Sequence, residues 1–93
     1  MAQQVVDKIF LKKIALRISE LRRINSIGQD VFYMDTNIHV ARLEMGVVNI
    51  RVNTIAEICK YFDISVSEFF EGIELPSHPN ACRYNTKSIA KSV

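Results

Sequence analysis

The stretch from residue 29 to residue 46 constrains this chain most, because it predicts two short helices that meet at one tight turn. Its apolar residues recur at helical spacing and are Val31, Phe32 and Met34 before the turn, and Ile38, Val40, Leu43 and Met45 after it. Thr36 and Asn37 form the predicted turn, since asparagine tolerates the left-handed backbone better than most residues. Gly46 is predicted to close the second helix.

The polar residues of the second predicted helix suggest contact with nucleic acid. Asn37, His39 and Arg42 share an outer face if Val40 and Leu43 point inward, because residues three apart lie side by side on a helix. The major groove of DNA admits one α-helix, and hydrogen-bonding side chains read its base edges. Arg42 is the best candidate for a guanine, because its planar guanidinium can reach both acceptors at once. Asn37 and His39 are candidates for adenine or phosphate, and His39 is alternatively an ordinary exposed histidine.

A simpler interpretation is that the chain is an ordinary small helical domain, because any such domain contains short amphipathic helices joined by turns. The distribution of charge bears on the choice. The net charge is +2. Residues 1–25 carry six basic and two acidic side chains, whereas residues 29–46 carry three acidic and one basic. This distribution counts against a purely electrostatic DNA binder, whose affinity comes from cations placed against phosphates. Contact with the DNA backbone is therefore expected from the first helix, from helix N-termini and from neutral polar side chains.

Length and composition predict one domain without metal or cofactor. With 93 residues, 48% of them hydrophobic, the chain can bury a single modest core. Its first residues lack the basic start of a signal peptide, and charged residues interrupt the apolar stretches, so we expect a cytoplasmic protein with no membrane contact. Cys59 and Cys82 are too few for a disulfide framework and are not spaced as a metal site. Cys59 has a core spacing, whereas Cys82 is expected to be an exposed thiol.

A long first helix and a fourth helix are also predicted. Asp7 can cap the first helix, which runs to about residue 25. Its inward stripe is Leu11, Ile14, Ile18, Leu21 and Ile24. The core face of the fourth helix is Val52, Ile55, Ile58, Cys59 and Phe62.

Two polar residues near the predicted helix ends are further candidates for DNA contact. Gln29 opens the second helix, where its side chain and the unpaired backbone amides can meet a phosphate oxygen. An inconsequential surface residue is the alternative for Gln29. Asn49 follows Gly46 in a loop with Arg51, and both are available to solvent or to backbone phosphate.

A capping box at residues 65–68 predicts a short fifth helix that ends at Gly72. This helix carries Phe69 and Phe70, of which one can fill the core and the other can face a partner. Two prolines and few large apolar residues follow, so residues 73–93 are predicted to be a polar tail or a dimerisation arm. The predicted fold class is all-α, a compact five-helix domain over residues 7–72.

The order and spacing of these segments resemble the Cro and lambda-repressor type of helix-turn-helix regulators over about residues 10–72. The segments that carry the resemblance are ISELRR at 18–23, Gln29, ARLEMG at 41–46, IAEI at 55–58 and SVSEFF at 65–70. The resemblance implies a lambda-repressor-like domain that binds double-stranded DNA and regulates transcription, with repression expected. It implies that residues 37–45 form the recognition helix. It also implies that Arg22 pairs with Glu44 and so fixes the angle of that helix.

The DNA-binding residues expected from the pattern and the resemblance together are Gln29, Thr36, Asn37, His39, Arg42 and Asn49. Related proteins usually bind two-fold symmetric sites as homodimers, and we expect the dimer contact at Phe69, Phe70 and the segment to about residue 75. The chain departs from the commonest pattern in one place. Between residues 29 and 42 it is about three residues shorter, so the second helix loses nearly a turn and the register of the recognition helix is open by about one residue.

Two other classes of function remain alternatives. In the first, the chain is a protein-interaction module, such as the antitoxin of a toxin–antitoxin pair, and the helical domain or the tail binds a partner protein. In the second, it is an enzyme, which the sequence does not favour. Catalysis needs convergent groups in a concave pocket, and the two histidines stand apart from both cysteines. His78 and Cys82 offer only two potential zinc ligands in the tail.

Overall fold

A computed structural model describes residues 7–80 of the chain, and over this range there are five helices and no strand. The helices are α1 (Lys8–Ile24), α2 (Gln29–Thr36), α3 (Val40–Glu44), α4 (Val52–Phe62) and α5 (Val66–Phe69). The all-α fold class and the order of the helices are therefore confirmed. Residues 73–80 carry no helix, and the rest of the predicted tail, with Cys82, lies outside the described residues.

Local sequence chemistry sets the helix ends. The Asp7 carboxylate caps α1 by accepting a hydrogen bond from the Phe10 backbone N–H at 3.0 Å. At α5 the Ser65 hydroxyl accepts from the Glu68 N–H, and the Glu68 carboxylate accepts from the Ser65 N–H, both at 3.0 Å. Asn37 ends α2 with φ of 62°, and Gly46 follows α3 with φ of 73°. The predicted caps and turn are confirmed, but α5 ends at Phe69 rather than at the predicted Gly72.

Each helix contributes at least one fully buried side chain to the core of the domain. The five largest fully buried side chains are Ile18 of α1, Phe32 of α2, Val40 of α3, Ile58 of α4 and Phe69 of α5. The ring centroid of Phe32 lies 4.9 Å from that of Tyr61 and 5.7 Å from that of Phe62, so α2 packs on the end of α4 through aromatic contacts. Even the four-residue α5 is therefore part of the same core.

Several apolar side chains that were predicted to face the core are exposed. Met34, Met45 and Val52 are 81%, 65% and 83% exposed, and Val31 is also exposed, so their predicted inward positions are wrong. Met34 lies two residues from buried Phe32, which places it about 200° around the helix, on the opposite side. Ile24 of the predicted α1 stripe is likewise 70% exposed. Two successive spacings of three carry it about 120° around the helix from Ile18.

Phe69 is fully buried, so the prediction that it contacts a second subunit is wrong. Its ring fills the core, and its backbone carbonyl accepts a hydrogen bond from Arg17 Nε at 2.9 Å. Arg17 Nη2 also donates to the Glu68 carbonyl at 2.8 Å, which fixes the end of α5 on α1. Phe70 is only partly buried, and its ring centroid lies 6.3 Å from that of Phe10. Phe70 is therefore the one of the two rings that can still meet a partner.

The prediction that Cys59 lies in the core is confirmed. Cys59 is a free thiol that is 4% exposed, and burial raises its pKa. In that part of the chain, no group of three His, Cys, Asp or Glu side chains is arranged to hold a metal ion. None of the helices between residues 7 and 80 combines the length and apolar character needed to cross a bilayer.

Candidate nucleic-acid interface

An open groove of about 450 Å³ lies beside α3. It is formed by the turn between α2 and α3, by α3 itself and by the first turn of α4. Its lining residues, which we call the basic groove, are Asn37, Ile38, His39, Arg42, Leu43, Val48, Arg51 and Thr54. Three of the residues predicted to bind DNA, Asn37, His39 and Arg42, are thus brought together.

The lining of the basic groove favours an anionic ligand. Arg42 and Arg51 supply two positive charges, and both are exposed. Asn37 and Thr54 supply neutral hydrogen-bonding groups, and no carboxylate is among the lining residues. Arginine donates in a planar fork that matches phosphate oxygens and the acceptor edge of guanine. The groove can therefore hold phosphate groups or base edges without charge repulsion.

Asn37 and His39 reach the groove from the turn rather than from a helix. The left-handed Asn37 ends α2, and its N–H donates to the Tyr33 carbonyl at 2.7 Å. His39 occupies the N-cap position of α3, and the Val40 N–H donates to the Ile38 carbonyl at 2.9 Å. Because of this tight turn, α3 begins at Val40 and not at the predicted residue 37. The prediction that Asn37 and His39 lie on one helical face with Arg42 is therefore wrong, although all three line one groove.

The Thr36 hydroxyl is used inside the turn. It donates to the Phe32 carbonyl at 2.7 Å and accepts from the Ile38 N–H at 3.2 Å. Thr36 does not line the basic groove. In the structure its hydroxyl holds the turn, and its contact with DNA stays a prediction.

Tyr33 is exposed beside the groove and contacts His39. The centroids of the two rings are 4.4 Å apart, and their planes are tilted by 33°. Tyr33 is 40% exposed and is not among the side chains that form the core or pack against it. No local sequence pattern indicates this contact, because it depends on the turn that brings residues 33 and 39 together.

Glu44, the last residue of α3, joins three helices. Arg22 of α1 binds its carboxylate through Nε to Oε2 at 2.8 Å and Nη2 to Oε1 at 2.9 Å. Gln29, the first residue of α2, donates from Nε2 to Oε1 of the same carboxylate at 3.1 Å. Arg22 Nη1 also donates to the Ile27 carbonyl at 2.9 Å. The structure thus contains the expected ion pair, and the Gln29 amide donates into the same cluster. The contact of Gln29 with a phosphate stays a prediction.

Electrostatic effects stabilise the charged forms of both partners. The side-chain hydrogen bond to Glu44 raises the pKa of Arg22. Burial raises the pKa of Glu44, but hydrogen bonds from Arg22 and Gln29 and nearby positive charges lower it by more, so its pKa lies below the usual value. The pair remains ionised at neutral pH and fixes the end of α3.

Asn49 lies in a different groove. That second groove, the apolar groove, is lined by Asp7, Phe10, Leu11, Ile14, Asn49, Ile50, Val52, Ile55 and Phe70. Asn49 is therefore not brought together with Arg42, and its contact with DNA stays a prediction. Arg51 and Thr54 take part in the basic groove instead. Arg51 was predicted to be a loop residue available to solvent or to backbone phosphate, whereas no sequence pattern marked Thr54.

No protein-family model, curated protein or solved structure matches the chain. The chemistry of the basic groove is therefore the basis for a proposed function.

Proposed function

We propose that this protein binds double-stranded DNA sequence-specifically and regulates transcription, with α3 inserted in the major groove. The observation that carries the proposal is the basic groove, where Arg42 of α3 and Arg51 before α4 are both exposed and no carboxylate is among the lining residues. The major groove is about 12 Å wide and accepts one helix. The Arg22–Glu44 pair supports this role because it holds α3 at one angle on the domain.

Separate residues serve base and backbone contacts in this proposal. Arg42 lies within α3 and reads a guanine through its two acceptors. Arg51 precedes α4 and binds a backbone phosphate, beside the first amides of that helix. Asn37 and His39 meet a neighbouring base or phosphate from the turn. The arrangement fits the lambda-repressor type of regulator, and we propose membership of that group, with repression as the mode of action and the cytoplasm as the location.

A homodimer is part of the same proposal. Because α3 has five residues, one copy buries too little surface to select a site among many competing sequences. Two copies on a two-fold symmetric site read half-sites about 34 Å apart, one helical turn of DNA. Phe70 and the segment to Leu75, which is 60% exposed, are the proposed contact between subunits now that Phe69 is buried.

The test begins with selection of bound fragments from the source genome. The enriched duplex is then titrated by fluorescence anisotropy with wild type, Arg42→Ala and Lys60→Ala. Arg42→Ala should weaken binding about tenfold and relax preference at one base pair. Lys60→Ala removes a cation that is 73% exposed on α4 and does not line the basic groove, so it should bind like wild type. No enrichment of any fragment would refute the proposal.

The apolar groove favours a second candidate, a protein-interaction module such as an antitoxin. Phe10, Ile50, Ile55 and Phe70 provide it with an apolar lining that a helix of a partner protein could fill. Mass measurement of the protein purified from its native cells distinguishes the two functions. A stoichiometric second polypeptide would support the module, and a homodimer that carries only DNA would support the regulator.

A further inference from the structure

The contact between Tyr33 and His39 links an α2 residue outside the basic groove to one that lines it. The two ring centroids are 4.4 Å apart, within the range of favourable aromatic pairs. His39 is exposed at the edge of the groove, and its backbone caps α3 without a side-chain capping bond. The imidazole is therefore free of any role in the turn, and the Tyr33 ring is its aromatic neighbour.

The backbone between these two residues is held by several hydrogen bonds. The Tyr33 carbonyl accepts from the Asn37 N–H, and the Thr36 hydroxyl connects the Phe32 carbonyl to the Ile38 N–H. The distance between the Cα atoms of residues 33 and 39 is thereby fixed. The His39 side chain can still rotate about its own bonds. The Tyr33 ring lies against one side of the imidazole. A ring in that place restricts the rotamers that His39 can adopt.

We propose that Tyr33 is a positioning residue of the DNA interface, which holds the His39 imidazole towards the basic groove and so sets affinity and base preference at the position that His39 meets. This inference rests on the proposed function. It requires the aromatic ring of Tyr33 and not its hydroxyl, because the observed contact is between the two rings. Since Tyr33 is 40% exposed, its replacement should leave the fold intact.

A double-mutant cycle on the selected duplex tests the inference. Tyr33→Leu and His39→Ala should each weaken binding about fivefold, the size expected for loss of one aromatic contact. The double variant should bind no more weakly than His39→Ala alone, because Tyr33 acts through His39. Both single variants should relax preference at the same base pair. Tyr33→Phe keeps the ring and should bind like wild type.

A measurement without DNA separates this inference from the proposed function. The ring protons of His39 should be shifted upfield in the NMR spectrum by the Tyr33 ring, and the shift should vanish in Tyr33→Leu and persist in Tyr33→Phe. Unchanged His39 shifts in Tyr33→Leu would overturn the inference, as would losses of affinity that multiply in the double variant. If the shifts behave as expected but wild type selects no duplex, the proposed function fails and Tyr33 has no interface to organise.

Discussion

The Arg22 guanidinium binds the Glu44 carboxylate through two hydrogen bonds, of 2.8 and 2.9 Å, from one face of α1 to the end of α3. Both side chains are mostly buried, with 14% and 11% of their surfaces exposed. Since α3 has five residues, it is too short to be stable as an isolated helix. The ion pair holds the end of α3, while Val40, buried in the core, holds its start.

Removal of the cation should destabilise the domain. We expect Arg22→Ala to lower the free energy of unfolding by about 2–3 kcal/mol, because Glu44 is left mostly buried without its partner. Urea unfolding followed by circular dichroism measures the change. Lys60→Ala breaks an exposed ion pair with Glu57 and is the control, with an expected change below about 0.5 kcal/mol. Equal losses in the two variants would show that the Arg22 pair contributes no more than an exposed pair.

The lowered pKa of Glu44 predicts how acid acts on stability. A carboxyl whose pKa is depressed in the folded state stabilises the fold above its unfolded pKa, about 4.3 for glutamate. That contribution is lost as the pH falls through the folded pKa. Wild-type stability should therefore decrease from about pH 5 to about pH 3, and Glu44→Gln should show a smaller decrease.

Urea midpoints over that pH range measure the two slopes. Part of the acid loss should remain in Glu44→Gln, because hydrogen bonds from Ser65 also lower the pKa of Glu68. Glu57→Gln removes a carboxylate that is 59% exposed and serves as the matched control, with a slope close to wild type. A Glu44→Gln slope as steep as wild type would exclude Glu44 as a source of the acid sensitivity.

Truncation of the α2 core residue should be much more costly than truncation on its outer face. Phe32 is fully buried and Met34, on the same helix, is 81% exposed. We expect Phe32→Ala to cost about 3–5 kcal/mol, a large part of the stability of a small domain. Met34→Ala should change the free energy of unfolding by less than about 0.5 kcal/mol. Similar unfolding midpoints for both would mean that α2 does not pack as described.

The two left-handed glycines allow a test of the contact between α3 and α1. A Cβ atom at Gly46 would lie 3.0 Å from Lys12 Cγ and 3.2 Å from Lys12 Cα, whereas one at Gly72 would meet nothing within 4 Å. Both have positive φ, so either change to alanine costs about 1–2 kcal/mol in backbone strain. Gly46→Ala should lower the free energy of unfolding by more than Gly72→Ala does, because Lys12 must also move. Thermal unfolding of the two variants measures the difference. Equal losses of stability would show that the close approach of Gly46 to Lys12 is unimportant.

Salt dependence should distinguish the two arginines of the basic groove. Arg51→Ala should weaken binding to all duplexes alike and reduce the slope of log affinity against log salt by about 0.9, as expected for one phosphate contact. Arg42→Ala should instead lose about 1–3 kcal/mol of discrimination at one base pair. Titrations at several salt concentrations, on the selected duplex and on a random one, measure both effects. An unchanged slope in Arg51→Ala would remove Arg51 from the backbone contacts.

Features fixed by neighbouring residues could be predicted from the sequence. The helix ends depend on contacts within a few positions of the chain, so side-chain chemistry and backbone preference were sufficient to predict them. These ends are set by Asp7, Asn37, Gly46 and the Ser65 capping box. The faces of the short helices could not be predicted as well. Over eight residues or fewer, only one or two side chains reach the core, and neighbouring elements decide which ones do.

The candidate site was predicted in part for the same reason. Arg42 and the turn residues Asn37 and His39 come from one stretch of chain, and that stretch was recognised as polar between apolar positions. Arg51 and Thr54 enter the groove because the start of α4 lies beside α3, a tertiary relationship that no local pattern encodes. Likewise, the sequence offered two adjacent phenylalanines for one core position, and only packing selects Phe69.

The burial of Val40 alone among the residues of α3 separates what attaches this helix from what it presents to solvent. Ala41 and Arg42 are exposed, and the other attachments of α3 are partly buried Leu43 and the Glu44 cluster at its end. Residues 41 and 42 can therefore be exchanged without disturbing the supports of the helix. A domain built in this way is suited to diversification, since substitutions at a few outward positions leave the buried core and the supports of α3 unchanged.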